Sequence, residues 1–163
     1  MIPAPLVHEL VPCPDPWDVA RKLAHLPHLC FLDSSERGGE RGRFSYVMAD
    51  PNFWGDDGRS GVTSVPFDDL ALMSCDVRSR TLEGLPPFQG GHAVMIGYEV
   101  CQVLERIPPA RFDDLTSPKL AAGVFDWVVS FDHTQKRAWV VSTGFREDDF
   151  DPAHAAIRLK QVL

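Results

Sequence analysis

The chain is predicted to fold as an α+β protein with mainly antiparallel sheets and flanking helices. Three features point there. Several segments alternate with a period of two, two helical patterns each open on Asp-Pro, and the elements follow the order helix, two strands, weak helix, strand, hairpin, helix. With 163 residues and 44% hydrophobic content the chain can bury one sizeable core, so a single domain over 1–163 is expected.

The first helix starts at Asp15-Pro16-Trp17-Asp18. Asp15 can accept from free backbone N–H groups, Pro16 suits the first helical position, and Asp18 complements the positive end of the helix dipole. Val19, Leu23 and Leu26 mark the apolar face, and Pro27 stops the helix. LCFLDSS (29–35) reads as a short strand running into the polar surface loop SSERGGERG. In RFSYVMA (43–49), Phe44, Tyr46 and Met48 alternate with Ser45, Val47 and Ala49, and ADP (49–51) closes the strand. Residues 52 to 65 are turn-rich with no regular element, and the spacing of Phe67, Leu70, Ser74 and Val77 permits a short helix.

LPPFQGGHAVMIGYE (85–99) combines a stiff approach at Pro86 and Pro87 with a flexible pivot at Gly90 and Gly91. Ala93, Val94, Met95, Ile96 and Tyr98 then populate both faces of a strand, which predicts an interior strand covered on both sides, with Gly97 in mid-strand. AGVFDWVVSFD (122–132) and RAWVVST (137–143) read as a hairpin around HTQK, with Phe125, Trp127, Val129 and Phe131 on one face. Asp151-Pro152 starts the last helix, where Ala155, Leu159 and Val162 share a face and no C-cap follows.

The formal charge of -7 includes 16 Lys plus Arg that form no basic stripe, so nucleic acid is not an expected partner. The N-terminus lacks a signal-peptide pattern and no run approaches the ~20 apolar residues of a membrane span, so a cytoplasmic protein without a membrane partner is expected. Cys13, Cys30, Cys75 and Cys101 are widely spaced, which suggests reduced and mostly buried thiols. Nucleophile-elbow, zinc-protease, Walker and Rossmann fingerprints are all missing, the histidines lack ligand spacing, and the paired aspartates sit in turn-like contexts. No catalytic residue, metal ligand or cofactor is therefore assigned to this chain.

One constellation suggests binding. If the strands around Ser34 and Phe44 are neighbours, the Ser34 hydroxyl, the Arg43 guanidinium and the Phe44 ring converge near one loop. Such a trio could hold an amino acid, with Arg or backbone N–H groups toward the carboxylate and Phe44 against an apolar side chain. From spacing alone, a loop serine, a surface arginine and a core phenylalanine form the favoured arrangement.

FLDSSERGGERGRFSYVMADP (31–51), LPPFQGGHAVMIGYEV (85–100) and AAGVFDWVVSFDHTQKRAWVVSTG (121–144) together resemble the N-terminal region of the chorismate-using synthases, component I of aminodeoxychorismate synthase and of anthranilate synthase. The resemblance runs from about residue 17 to 160, and PPFQGG followed by a strand ending in GYE is most like the aminodeoxychorismate branch. It implies an incomplete part of a two-sheet α/β core that a larger chorismate-binding region completes. That region is absent from this chain and would carry the catalytic groups and the magnesium ligands. A glutamine amidotransferase subunit would supply ammonia.

The resemblance also implies tryptophan as a ligand. The family's L-L-x-S motif falls on Phe31-Leu32-Asp33-Ser34, and its loop leading into R-F falls on Arg41, Gly42, Arg43 and Phe44, which makes Ser34, Arg41, Gly42, Arg43 and Phe44 the candidate binding residues. Phe31 and Asp33 depart from the commoner residues, Asp33 adding a negative charge near any bound carboxylate. The function so implied is the regulatory and scaffolding part of aminodeoxychorismate synthase component I, on the route to p-aminobenzoate and folate, without catalysis of its own. The alternatives are the matching part of anthranilate synthase component I, in tryptophan biosynthesis, or a free-standing amino-acid sensor.

Overall fold

The computed structural model describes residues 4–34, 36, 38–56, 80–109, 111–112, 118–146 and 149–163. The strands and helices run β1 (Leu6–Leu10), α1 (Pro16–Leu23), β2 (Cys30–Leu32), β3 (Phe44–Met48), β4 (Phe53–Asp56) and β5 (Gly91–Ile96). They continue with α2 (Cys101–Leu104), β6 (Leu120–Phe125), β7 (Trp127–Asp132), β8 (Arg137–Ser142), β9 (Phe145–Arg146), β10 (Asp149–Phe150) and α3 (Pro152–Val162). The strands build a five-stranded sheet, β1-β8-β7-β3-β2, a three-stranded sheet, β4-β6-β5, and the small β10-β9 ribbon. Every strand pairing among the described residues is antiparallel, so the predicted α+β class holds. The helix expected around Phe67 to Val77 lies outside the described residues. No helix among the described residues is long and apolar enough to cross a membrane.

Both Asp-Pro helix starts form as the capping chemistry requires. Asp15 Oδ1 accepts from the backbone N–H groups of Trp17 (2.9 Å) and Asp18 (3.3 Å), and Asp151 Oδ1 accepts from Ala153 (2.8 Å). These caps aim two amphipathic helices at one face of the larger sheet. Ala20 and Leu23 of α1 pack with Val47, Trp127, Val129, Phe131 and Val140, and Leu159 and Val162 of α3 join the same cluster. Each fully buried side chain of this size contributes about 1.5–3 kcal/mol. The opposite face of the sheet presents Met48, Val128, Trp139 and Val141, which pack against Phe125 of the smaller sheet.

Several sequence expectations need correction. AGVFDWVVSFD is not one strand: it breaks at Asp126, so that β6 lies in the smaller sheet and β7 in the larger. Asp126 is fully buried and its carbonyl accepts from the Thr143 N–H (2.8 Å) and Oγ1 (3.0 Å), which takes it out of the ladder. Residues 52 to 65 contain a strand after all, because β4 pairs with β6 from Phe53 to Asp56. β1, which lies between prolines in the sequence, gains its regularity from pairing with β8. The described cysteines are less buried than expected, with Cys13 exposed and Cys30 and Cys101 half-buried.

The predicted interior strand, β5, is an edge strand of the three-stranded sheet, and Val94, Met95 and Ile96 are 45%, 47% and 52% exposed. Apolar residues on both faces of a strand report that both faces need cover; they do not say which segment supplies it. Gly97 ends β5 instead of sitting within it, its N–H donating to the Lys119 carbonyl at 2.7 Å.

Gly123, at the centre of the smaller sheet, leaves room for two rings: an added Cβ would lie 2.8 Å from Phe125 Cε2 and 3.1 Å from Trp54 Cε3. Gly123→Ala is therefore expected to lose about 1–3 kcal/mol of stability in urea unfolding through overpacking. Unchanged stability would mean that the rings yield freely.

Candidate functional site

The two sheets are packed together around Phe125, Met48 and Val128, and between the β2–β3 edge and the smaller sheet they leave a cleft of about 630 Å³. Strand periodicity determines its walls. Leu32 and Tyr46 are cross-strand partners and face it from the larger sheet. Trp54 and Ala93, both opposite Gly123, and Met95, opposite Ala121, face it from the smaller one. A cleft of this size and apolar lining suits a small aromatic molecule or inserted side chains.

The PPFQGG segment furnishes one end. Gln89 is buried and holds its own approach in place, accepting from the Leu82 N–H (2.9 Å) and donating to the carbonyls of Leu82 (2.8 Å) and Pro86 (3.2 Å). Ser130 Oγ donates to the Phe88 carbonyl at 3.0 Å, and the Phe88 ring meets Tyr46 edge-on with centroids 5.6 Å apart. Gly90 and Gly91 then turn the chain into β5 at φ of 113° and 121°, a region that side chains disfavour. Gly90 also passes so close that a Cβ would lie 3.1 Å from Thr143 Cγ2 and 3.2 Å from the Phe125 carbonyl. The flexible pivot seen in the sequence is thus a left-handed turn and a close approach at the corner of the two sheets.

Chemically the cleft is quiet. Burial pushes the Tyr46 hydroxyl above its ordinary value against a hydrogen bond with the Phe88 backbone, and burial raises the Cys30 thiol, so both stay neutral near pH 7. Trp54 is held by stacking on His28, with centroids 4.3 Å apart, and by donating from Nε1 to Asp56 Oδ2 at 3.2 Å.

The predicted site residues lie at one end of this arrangement. β2 and β3 are neighbours in a register that, if continued two pairs beyond Leu32 and Tyr46, would set Ser34 opposite Phe44. β2 ends at Leu32, two residues short of Ser34, and the described residues that line the cleft include neither Ser34 nor Phe44. Arg41 is exposed in the turn before β3, and Gly42 is buried where an added Cβ would collide with the Glu36 carbonyl. Arg43 is already engaged: Nε and Nη2 donate to Asp132 Oδ2 at 3.0 and 2.7 Å, and its guanidinium lies over the Phe44 ring, 4.8 Å from the centroid. Asp33 turns to the helix-covered face, where its Oδ1 accepts from Ser45 Oγ at 2.5 Å.

Ser45 Oγ also lies 2.6 Å from His133 Nε2, which collects the residue types of a hydrolytic triad. The order is wrong for one, since the hydroxyl sits between carboxylate and imidazole and is fully buried, out of reach of any substrate. The walls formed by Trp54, Phe88 and Met95 were missed by sequence reasoning. Phe88 and Met95 belong to a segment whose unusual composition did signal them, whereas Trp54 sits in a stretch without strand periodicity.

Asp132 anchors this end twice. Its Oδ1 accepts from the N–H groups of Thr134 (2.9 Å) and Gln135 (3.0 Å), closing the β7–β8 turn while Oδ2 holds Arg43. Burial pushes its carboxyl up, but the Arg43 guanidinium and the two N–H groups together outweigh that and hold it below the usual carboxylate range. A lowered folded-state pKa stabilises the fold above the unfolded value of about 3.9 and loses that contribution as pH falls through the folded value. The stability gap between wild type and Asp132→Asn in urea unfolding is expected to be constant from pH 7 to 5 and to shrink below pH 4; a gap independent of pH would refute the pairing.

No family model matches the chain. It is 29% identical to aminodeoxychorismate synthase component 1 of Escherichia coli K12, over 79% of this chain and 34% of that protein. The identity to the Bacillus subtilis protein of the same name is 26%, over 74% and 27%, and to anthranilate synthase component 1 of Streptomyces coelicolor it is 33%, over 81% and 25%. The chain thus spans about a third or less of the length of these relatives. The crystal structure of anthranilate synthase component I from Streptococcus pneumoniae shares the fold, with a TM-score of 0.58 at 20% identity over 79% of this chain and 30% of that one. In sequence and in fold alike, the chain is similar to a part of component I of aminodeoxychorismate synthase and of anthranilate synthase.

Proposed function

We propose that this chain is the tryptophan-holding and scaffolding part of a cytoplasmic aminodeoxychorismate synthase component I, acting with a chorismate-binding region and a glutamine amidotransferase subunit. In this reading the assembly aminates chorismate to 4-amino-4-deoxychorismate, and the reactive groups and any magnesium ligands lie in the chorismate-binding region. The observation that carries the proposal is the conjunction of an apolar cleft with an exposed apolar edge at Val94, Met95 and Ile96 in a chain similar to aminodeoxychorismate synthase component 1. A surface of that kind calls for a covering element. The corresponding part of anthranilate synthase component I is the nearest alternative, since both names occur among the relatives.

Within the proposed site the indole packs between the Leu32–Tyr46 wall and the smaller sheet. Ser34 and the backbone N–H groups of the Arg41–Arg43 turn receive the polar end, Gly42 keeping that turn tight. Phe44 extends the apolar wall, and Arg43 steadies its ring while Asp132 balances the charge. A second reading is an amino-acid sensor without amination that uses the same apolar cleft.

Calorimetry with L-tryptophan is expected to show saturable binding that Ser34→Ala and Phe44→Ala each weaken tenfold or more, a loss of about 1.4 kcal/mol. An absence of heat and of any thermal shift would remove the tryptophan role. Mixing the chain with a chorismate-binding region and ammonium is expected to convert chorismate to the 4-amino product; binding of tryptophan without any such complementation would favour the sensor.

A further inference from the structure

Among the described strands the chain passes from one sheet to the other only twice, between β3 and β4 and between β6 and β7. Asp50 stands at the first crossing, at a φ of 50°, and Asp126 at the second. One side chain from α3 grips both. Arg158 Nε donates to Asp126 Oδ1 and Oδ2 at 3.2 and 3.1 Å, and Nη2 donates to Oδ1 at 3.0 Å. Its Nη1 donates to Asp50 Oδ2 at 2.5 Å, and Nη2 also reaches the Asp50 carbonyl. Gln161 Oε1 accepts from Nη1 at 3.1 Å, and His154 Nε2 lies 2.9 Å from Asp126 Oδ2, so one face of α3 is committed to this corner.

We propose that Arg158 is a positioning residue that sets the opening of the cleft: by clamping both crossings with one rigid fork it fixes the angle between the two sheets, so cleft width and the docking of α3 move together. The planar guanidinium is required, because a lysine ammonium keeps the charge but cannot span two carboxylates in this geometry. By linkage, whatever fills the cleft tightens α3 on the sheet, and whatever pulls α3 away loosens the cleft. The hinge holds for any occupant, so its test needs none.

Spin labels at Lys136 and Ile96, with the native cysteines replaced by serine, report the separation of the far ends of the two sheets by pulsed dipolar spectroscopy. Both positions are exposed, on the turn after β7 and at the end of β5. An opening of about 10° moves the end of a strand ~20 Å long by ~3 Å. The wild-type chain is expected to give one narrow distance, and Arg158→Lys a distribution displaced or broadened by roughly that amount while the circular dichroism stays native. Asp50→Asn, which removes the charge at one crossing and leaves the Asp50 carbonyl and Asp126 bonded to Arg158, is expected to give the same change to a smaller degree and decides the matter if Arg158→Lys does not fold. A wild-type distribution in the folded variants would overturn the proposal.

Discussion

The buried pairing of Arg158 with Asp126 is the constraint on which the remaining architecture depends. Asp126 is fully buried and Arg158 nearly so, and each polar direction of the pair is used. Removing the guanidinium would leave an uncompensated carboxylate inside the protein, at a cost on the order of 3–5 kcal/mol. A well-packed apolar pair could provide comparable stability, but it would lack the directionality that holds two chain crossings at one angle. The pair therefore contributes geometry more than energy. It lets a strand that would otherwise run straight divide between two sheets, with Trp127 delivered to the helix-covered core and Phe125 to the core between the sheets.

Two different interiors follow from that division. The helix-covered face of the larger sheet is closed by this chain's own α1 and α3, and its residues are almost wholly inaccessible. Among the described residues, the space between the sheets is packed near the corner, where Met48, Phe125 and Val128 touch, and opens beyond it into an apolar cleft. β5 extends the imbalance, with apolar side chains exposed along an edge that bears no charged or proline residue. In the proposed function this surface is covered by the chorismate-binding region. The Pro86–Gly91 segment stands where these interiors meet, which accounts for a sequence that is stiff, then polar and buried, then left-handed.

Local chemistry was legible in the sequence, whereas relations between distant segments were not. Asp-Pro at 15–16 and 151–152 announced both long helices, because capping is a contact over two or three residues. The alternation in β3 correctly separated Tyr46 and Met48 from Ser45 and Val47. β1 and β4 have no such pattern; they are regular because β8 and β6 lie beside them. Asp126 did carry a signal, a charge amid a run of apolar residues, but its partner is 32 positions away and only the fold identifies it. β2 and β3 are neighbours as the spacing suggested, but β2 ends at Leu32, short of Ser34, and the engagement of Arg43 by Asp132 spans 89 positions and could not be foreseen.

The central claim is that the cleft side of this chain is an unfinished interior beside a finished one. Amide hydrogen exchange resolved by residue tests it directly, comparing His92–Ile96 of β5 with Val128–Phe131 of β7 in the chain by itself and after addition of a chorismate-binding region. The account predicts slow exchange in β7 throughout, and exchange in β5 that is orders of magnitude faster in the chain alone and slows sharply when the region is added. Protection of β5 equal to that of β7 in the chain alone would contradict it.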